Sequence, residues 1–240
     1  MLLRLQNSYA SMNEMARQQE RIANNLANAG TVGYRRERSF TEVLNERLDA
    51  ENSPISDRAT VQFADSAQGA FESTGNPLDV AISGEGFFVL SDPDSGTMRY
   101  TRAGQFTQDA DGTLRNPAGY MVEGEGGPIQ IPQDGGKIHI SLDGEIKAGE
   151  QVVGKLRVVT FENPLQLQRL DGAAFSANGM EPDDVPDPKV RQGFLEQSNV
   201  DPMKEMTDMI THYRLFESQQ KSIQTQDHVL SEISRELGKF

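Results

Sequence analysis

Asn24-Asn25-Leu26-Ala27-Asn28-Ala29-Gly30-Thr31-Val32-Gly33-Tyr34-Arg35-Arg36 is where this chain changes kind. Upstream, from Leu2 to Ala29, there is no Gly and no Pro. Apolar or small residues fall at Leu5, Tyr9, Met12, Met15/Ala16, Ile22/Ala23 and Leu26, spacings of three and four that mark one stripe of an α-helix. Asn is a poor helix former, because its amide competes for nearby backbone groups, yet it recurs through the last turns. Gly30 lies just past the last periodic residue, where a helix stop is expected. Gly30 and Gly33 offer positive-φ freedom, and Tyr34 can tuck under the turn. Read from periodicity alone, the stretch is a helix stop followed by a basic linker.

The other end mirrors this. Asp201 reads as an N-cap and Pro202 as the first helical residue. Met203, Met206, Ile210, Tyr213, Phe216, Ile223, Leu230, Ile233 and Leu237 follow at spacings of three, four or seven, with no Gly or Pro before Gly238. So long a helix with so narrow a seam points to a coiled coil rather than a globular surface helix.

Between Phe71 and Glu196, short β-type runs alternate with turn signals. The runs are 78–82, 86–90, 97–101, 129–131, 137–140 and 156–161. Asp111-Gly112, Asp143-Gly144, Asp171-Gly172 and Asn116-Pro117-Ala118-Gly119 punctuate them. Such spacing reads as an irregular all-β domain. Two stretches, Ala50 to Gln68 and the acidic proline run 181–188, read as loosely structured. The fold class is therefore α+β. N- and C-terminal helices pair as a coiled-coil-like α domain (1–35 and 199–240) around an extended linker (36–70) and a central β domain (71–198).

Composition narrows the function. The 240 residues carry a net charge of −13. Residues 1–38 hold six arginines against three acids, residues 39–199 hold 12 bases against 26 acids, and residues 200–240 hold five against seven. That balance argues against nucleic-acid binding and against adhesion to anionic lipid. The longest purely apolar run, Phe87-Phe88-Val89-Leu90, is far too short to cross a membrane. The N-terminus turns polar at once and lacks the apolar core of a secretory signal, so export takes another route. With no cysteine, thiol catalysis, Cys-ligated zinc and disulfides are excluded.

Catalytic and metal patterns are missing too. His139, His212 and His228 are scattered, and no His-Glu-x-x-His, Gly-x-Ser-x-Gly or Walker A sequence occurs. Gly84-x-Gly86 and Gly124-x-Gly126-Gly127 open no helix and read as turns. The acidic runs from Asp92 and Asp109 fail the calcium-loop spacing. Asp109/Asp111 and Asp183/Asp184 read as solvated turn acids, not a glycosidase pair. The sequence predicts no catalytic residue, metal site or cofactor.

Three blocks carry a resemblance. Asn24 to Tyr34 resembles the signature of the bacterial flagellar axial proteins, the rod and hook family, with Asn24, Asn25, Leu26, Ala27, Asn28, Thr31, Gly33 and Tyr34 as its residues. Tyr34 stands where many relatives have Phe. Thr74 to Val89 and Tyr100 to Phe106 look like the opening of that family's central β domain. Leu195 to Asp201, running into Met206 to Ile210, is similar to its C-terminal helix entry. Within the family, Glu125-Gly126-Gly127-Pro128-Ile129 and Arg214-Leu215-Phe216-Glu217 look most like the proximal-rod type, with the distal-rod type the close alternative.

The resemblance implies a structural subunit of the flagellar basal-body rod, exported by the flagellar type III apparatus without a cleaved signal. It implies neighbouring rod proteins as partners and a place in the periplasm-spanning rod. Leu5, Met12, Ile22 and Leu26 are expected to pair with Met206, Ile210, Tyr213, Phe216, Ile223 and Leu230 as the assembly interface. A seam so narrow barely offsets the roughly 1–2 kcal/mol per residue lost on ordering backbone, so the helices are expected to complete their order on assembly. A secreted β-rich binding module is the alternative from another class. It would keep its activity without the terminal helices.

Overall fold

The computed structural model describes residues 2–39, 62–133 and 136–237. They divide into two compact units. One contains α1 (Leu2–Ala27) and α2 (Pro202–Leu237), and the other runs from Asn28 to Val200.

In the helical unit, Asp201 caps α2 as its sequence predicts. Its Oδ1 accepts the backbone N–H groups of Met203 and Lys204 at 3.0 and 3.3 Å. The end of α1 differs from expectation. The helix stops at Ala27, three residues before Gly30. Gly30 is not left-handed; Gly33 is, at φ +68°. Asn28 turns the chain instead. Its carbonyl accepts the Thr31 N–H at 3.0 Å, and its Oδ1 accepts the Thr31 hydroxyl at 3.1 Å.

The β unit is built from short antiparallel strands. Its largest sheet runs Gln168–Arg169, Ala174–Ser176, Met98–Thr101, Phe87–Ser91, Met121–Gly124, Leu114–Arg115 and Thr107–Gln108 in bonded order. Val158–Thr160 also bonds to Phe87–Ser91. The Phe-Phe-Val-Leu run is continuous because this strand is covered on both faces. Side chains alternate along a strand, so Phe88 and Leu90 enter one core while Phe87 and Val89 enter another. The first core gathers Val80, Ile82, Phe106, Leu114, Val122, Ile146 and Leu156. The second gathers Tyr100, Val159, Phe161, Leu167 and Phe175. Edge-to-face ring pairs stiffen both: Phe88 with Phe106 at 5.3 Å, and Tyr100 with Phe161 at 4.9 Å.

The turn dipeptides fall where expected. Asp111-Gly112 links Thr107–Gln108 to Leu114–Arg115, and Asp143-Gly144 links Ile138–Ile140 to Glu145–Ala148. Three expectations change. Within the supposed linker, Glu37–Ser39 pairs with Gln62–Ala64, while residues 40–61 lie outside the described residues. The 129–131 run forms no strand of its own: Ile129 bonds back to Val122, and Gln130 makes a single bridge to Thr113. The acidic proline run is not loose. Asp183–Asp184 pairs with Val159–Thr160, held by an Arg157–Asp184 contact of 2.7 Å. The sequence boundaries at 35/36, 70/71 and 198/199 likewise give way to a unit spanning 28–200.

Because Phe88 has no exposed surface, Phe88→Ala should cost about 3–5 kcal/mol. Urea unfolding of the β unit, read by tyrosine fluorescence, checks this.

Candidate functional site

The segments that follow α1 and precede α2 in sequence meet inside the β unit around one carboxylate. Glu196, only 1% exposed, ends the strand Phe194–Glu196, which pairs with Phe71–Ser73. Its Oε1 lies 2.9 Å from Arg35 Nη2, and its Oε2 lies 3.3 Å from Arg102 Nη1. Oε1 also accepts the Gly69 N–H at 3.0 Å. Other guanidinium donors go to backbone, while Arg102 Nε has no hydrogen-bond partner among the described residues. Arg102 donates to the Gly84 and Ile82 carbonyls, and Arg35 to those of Ser66 and Ala67.

The electrostatics follow from burial. Desolvation pushes Arg102 down to about 10, aided by the nearby Arg35 charge and opposed by Glu196. Burial also lowers Arg35, against Glu196 and Asp65. Both guanidiniums stay charged at neutral pH, so Glu196 has a structural partner on each side.

Backbone contacts complete a clasp. Gly33 N donates to the Glu196 carbonyl at 2.7 Å, and Gln197 N to that of Ala70 at 2.8 Å. Asn199 reaches both ways: its Oδ1 accepts Arg36 N at 2.6 Å, and its Nδ2 donates to the Ala67 carbonyl at 2.8 Å. Tyr34 is buried beneath Arg169, whose guanidinium carbon lies 4.3 Å from its ring centroid. Arg169 Nε also sits 2.7 Å from Glu37 Oε1. Nearby, the buried Asp79 carboxylate accepts the Thr74 hydroxyl at 2.6 Å and the Asn76 amide at 3.0 Å. Its backbone carbonyl accepts Gly193 N at 2.8 Å.

This arrangement holds segments rather than substrates. A cavity of about 100 Å³ adjoins the clasp, lined by Arg35, Arg102, Asp65, Glu85 and Phe87 among others. Its two cations and two carboxylates balance, so it has no bias toward an anion. One acid of each pair that could mimic a catalytic dyad is engaged elsewhere, Asp109 with Arg115 at 2.8 Å and Asp184 with Arg157.

Three segments of the chain match known families. Residues 5–35 match "Flagella basal body rod protein", residues 81–148 match "Flagellar hook protein FlgE/F/G D1 domain", and residues 191–236 match "Flagellar basal body rod FlgEFG protein C-terminal". The chain is 37% identical to the flagellar basal-body rod protein FlgG of Agrobacterium fabrum, over 91% of this chain and 93% of the relative. It is 36% identical to FlgF of Salmonella typhimurium, over 88% of each. FlgG of Bacillus subtilis shares 34% over 97% of this chain and 98% of its own. The chain belongs to the flagellar basal-body rod protein family. It is a structural subunit of the rod and not an enzyme. FlgF and FlgG relatives stand at similar identity, so identity does not separate the two types.

In this rod protein, Arg35, Arg102 and Glu196 each fall in a different matched segment, and the clasp ties the three together. The signature residues divide by role. Asn28 and Thr31 make the turn, Gly33 permits the close approach and Tyr34 is buried. Asn25 is buried, Leu26 is half-buried, and Asn24 and Ala27 are exposed.

The expected seam splits. Ile22 is buried, while Met12, Phe216 and Ile223 are half-buried. Met206, Ile210 and Tyr213 are not covered in the single chain. One face of α2 cannot serve both sets: Glu205, Met209, His212, Phe216, Gln219 and Ile223 turn inward and leave the other stripe outside. The side chains of Leu5 and Leu230 lie outside the described residues.

Sequence reading missed the clasp, although its members stood inside the quoted blocks. Arg35 reads in sequence as linker charge, and nothing in a lone Arg102 or Glu196 marks it as buried.

The clasp leaves no room at Gly33, where an added Cβ would sit 2.3 Å from Ala103 N; at Gly30 it would meet nothing within 4 Å. Gly33→Ala should cost about 1–3 kcal/mol, and Gly30→Ala should stay within about 0.5 kcal/mol. Paired thermal melts compare them.

Proposed function

We propose that this rod subunit assembles helically through its terminal helices, with Leu5, Met12, Ile22 and Leu26 of α1 pairing in coiled-coil fashion with the inward face of α2. The outward face of α2 then docks on neighbouring rod proteins. One observation carries this reading. Met203, Met206, Ile210 and Tyr213 form a stripe at helical spacing and are 72%, 46%, 56% and 52% exposed. An apolar stripe left in water favours a partner, since covering a large apolar side chain returns about 1.5–3 kcal/mol. The acidic β unit keeps the free chain soluble until then.

Rod membership supports delivery by the flagellar type III export apparatus without a cleaved signal, and a final place in the rod across the periplasm. The segments 125–129 and 214–217 favour the proximal-rod (FlgF) type. The 37% identity to a FlgG keeps the distal-rod type as the second reading. Complementation of strains lacking one or the other decides: restored swimming in the flgF deletion alone supports the first.

Met206→Glu with Ile210→Glu should abolish swimming and rod incorporation, with the melting of the β unit unchanged. Normal motility of that variant would sink the assembly reading. In the free chain, amides of 203–223 should exchange with solvent faster than those of 87–90 and 98–101. Equal protection would mean that the helices are preformed and dock rigidly.

A further inference from the structure

Arg35 and Arg102 are both buried, and both face Glu196. Two guanidiniums held that close repel one another, and burial removes the water that would screen them. Their counter-charge comes late in the chain: Glu196 lies 94 positions after Arg102. The core strands do not need it. Phe87–Ser91, Met98–Thr101, Met121–Gly124 and Val158–Thr160 all precede residue 196 and pair among themselves. What does need it is one end of the unit, residues 33–36 and 66–73. Those residues are held by Glu196, Gln197 and Asn199 and by the pairing of Phe71–Ser73 with Phe194–Glu196.

We propose that Glu196 is the latch of a charge-gated closure. The two arginines face a carboxylate whose strand, Phe194–Glu196, is not part of the large core sheet. Until Glu196 docks between them, burying both is disfavoured, and the end of the β unit formed by residues 33–36 and 66–73 stays open over an already paired core. The latch fixes when the unit closes. It stands independently of how the helices assemble, because every residue in it lies within 28–200.

The test uses the full chain. Glu196→Leu should speed hydrogen exchange at the Gly33, Arg36 and Gln197 amides by roughly a hundredfold or more. The Leu114 and Ile129 amides, bonded within the core, should keep their protection. Adding Arg35→Met and Arg102→Met removes the charges that required neutralising, and slow exchange should return at Gly33, Arg36 and Gln197. Unchanged protection in Glu196→Leu overturns the gate, because closure would then not need the charge. A triple variant as open as Glu196→Leu overturns it too, because shape rather than charge would hold the clasp. Should Glu196→Leu unfold the whole chain, the triple variant decides. Folded with slow exchange it upholds the gate; unfolded it refutes it.

Discussion

Glu196 lies out of water between two guanidiniums, and a charge so placed tolerates few alternatives. A buried ion pair is not stabilising by default, because desolvating both groups offsets most of their attraction. Here the balance is met by geometry. The carboxylate takes two cations and a backbone N–H, and the cations place further donors on carbonyls of residues 66, 67, 82 and 84. Moving any one of these segments would strand a charge or a carbonyl. The cluster therefore specifies one register for five stretches of the chain, which is worth more here than its net contribution to stability.

That role fits the weakness of the surrounding ladders. Most strands of this unit have two to five residues, and several pairings rest on two or three registered positions. Short ladders specify register poorly, because a slip loses few hydrogen bonds. Two features compensate. Phe87–Ser91 is covered on both faces, so a one-residue slip would exchange its two sets of core side chains. The clasp fixes the outer strands Phe71–Ser73 and Phe194–Glu196 through charge and through glycine contacts. At Gly69 an added Cβ would lie 1.9 Å from the Gln197 carbonyl, and at Gly104 one would lie 1.6 Å from that of Val80.

Much of this was legible in the sequence, for reasons that differ by element. The helices were legible because Gly and Pro are absent from long periodic runs and because Asp201-Pro202 is a strong start signal. The hairpins were legible because Asp-Gly at 111–112 and 143–144 demands a positive φ at the glycine, which both adopt. The exit from α1 comes two residues earlier than the glycine signal implies, since Asn28 and Thr31 make their own turn before any glycine is needed. The 183–184 strand was hidden because its pairing depends on Arg157, more than 20 residues earlier. The clasp was hidden for the same reason in a stronger form. A charged residue looks alike in sequence whether it is solvated or buried, and only the partner, 94 positions away in the case of Arg102, tells the two apart.

The two units divide the physical demands on a rod subunit. In the β unit most apolar side chains gather in two cores, with Met98, Leu142, Val152 and Leu165 left exposed, and the buried charges of the clasp face one another. α2 is the opposite case: Met203, Met206, Ile210 and Tyr213 stay in water, and the inward face is itself only half-buried at Phe216 and Ile223. Two of the four exposed positions are methionines, whose unbranched side chains adapt to differently shaped neighbours. Such tolerance suits the proposed docking of α2 on neighbouring rod proteins, while the clasp holds the β unit in one arrangement. Adaptability thus falls on the helix face proposed to meet partners, and the buried charge falls inside the β unit.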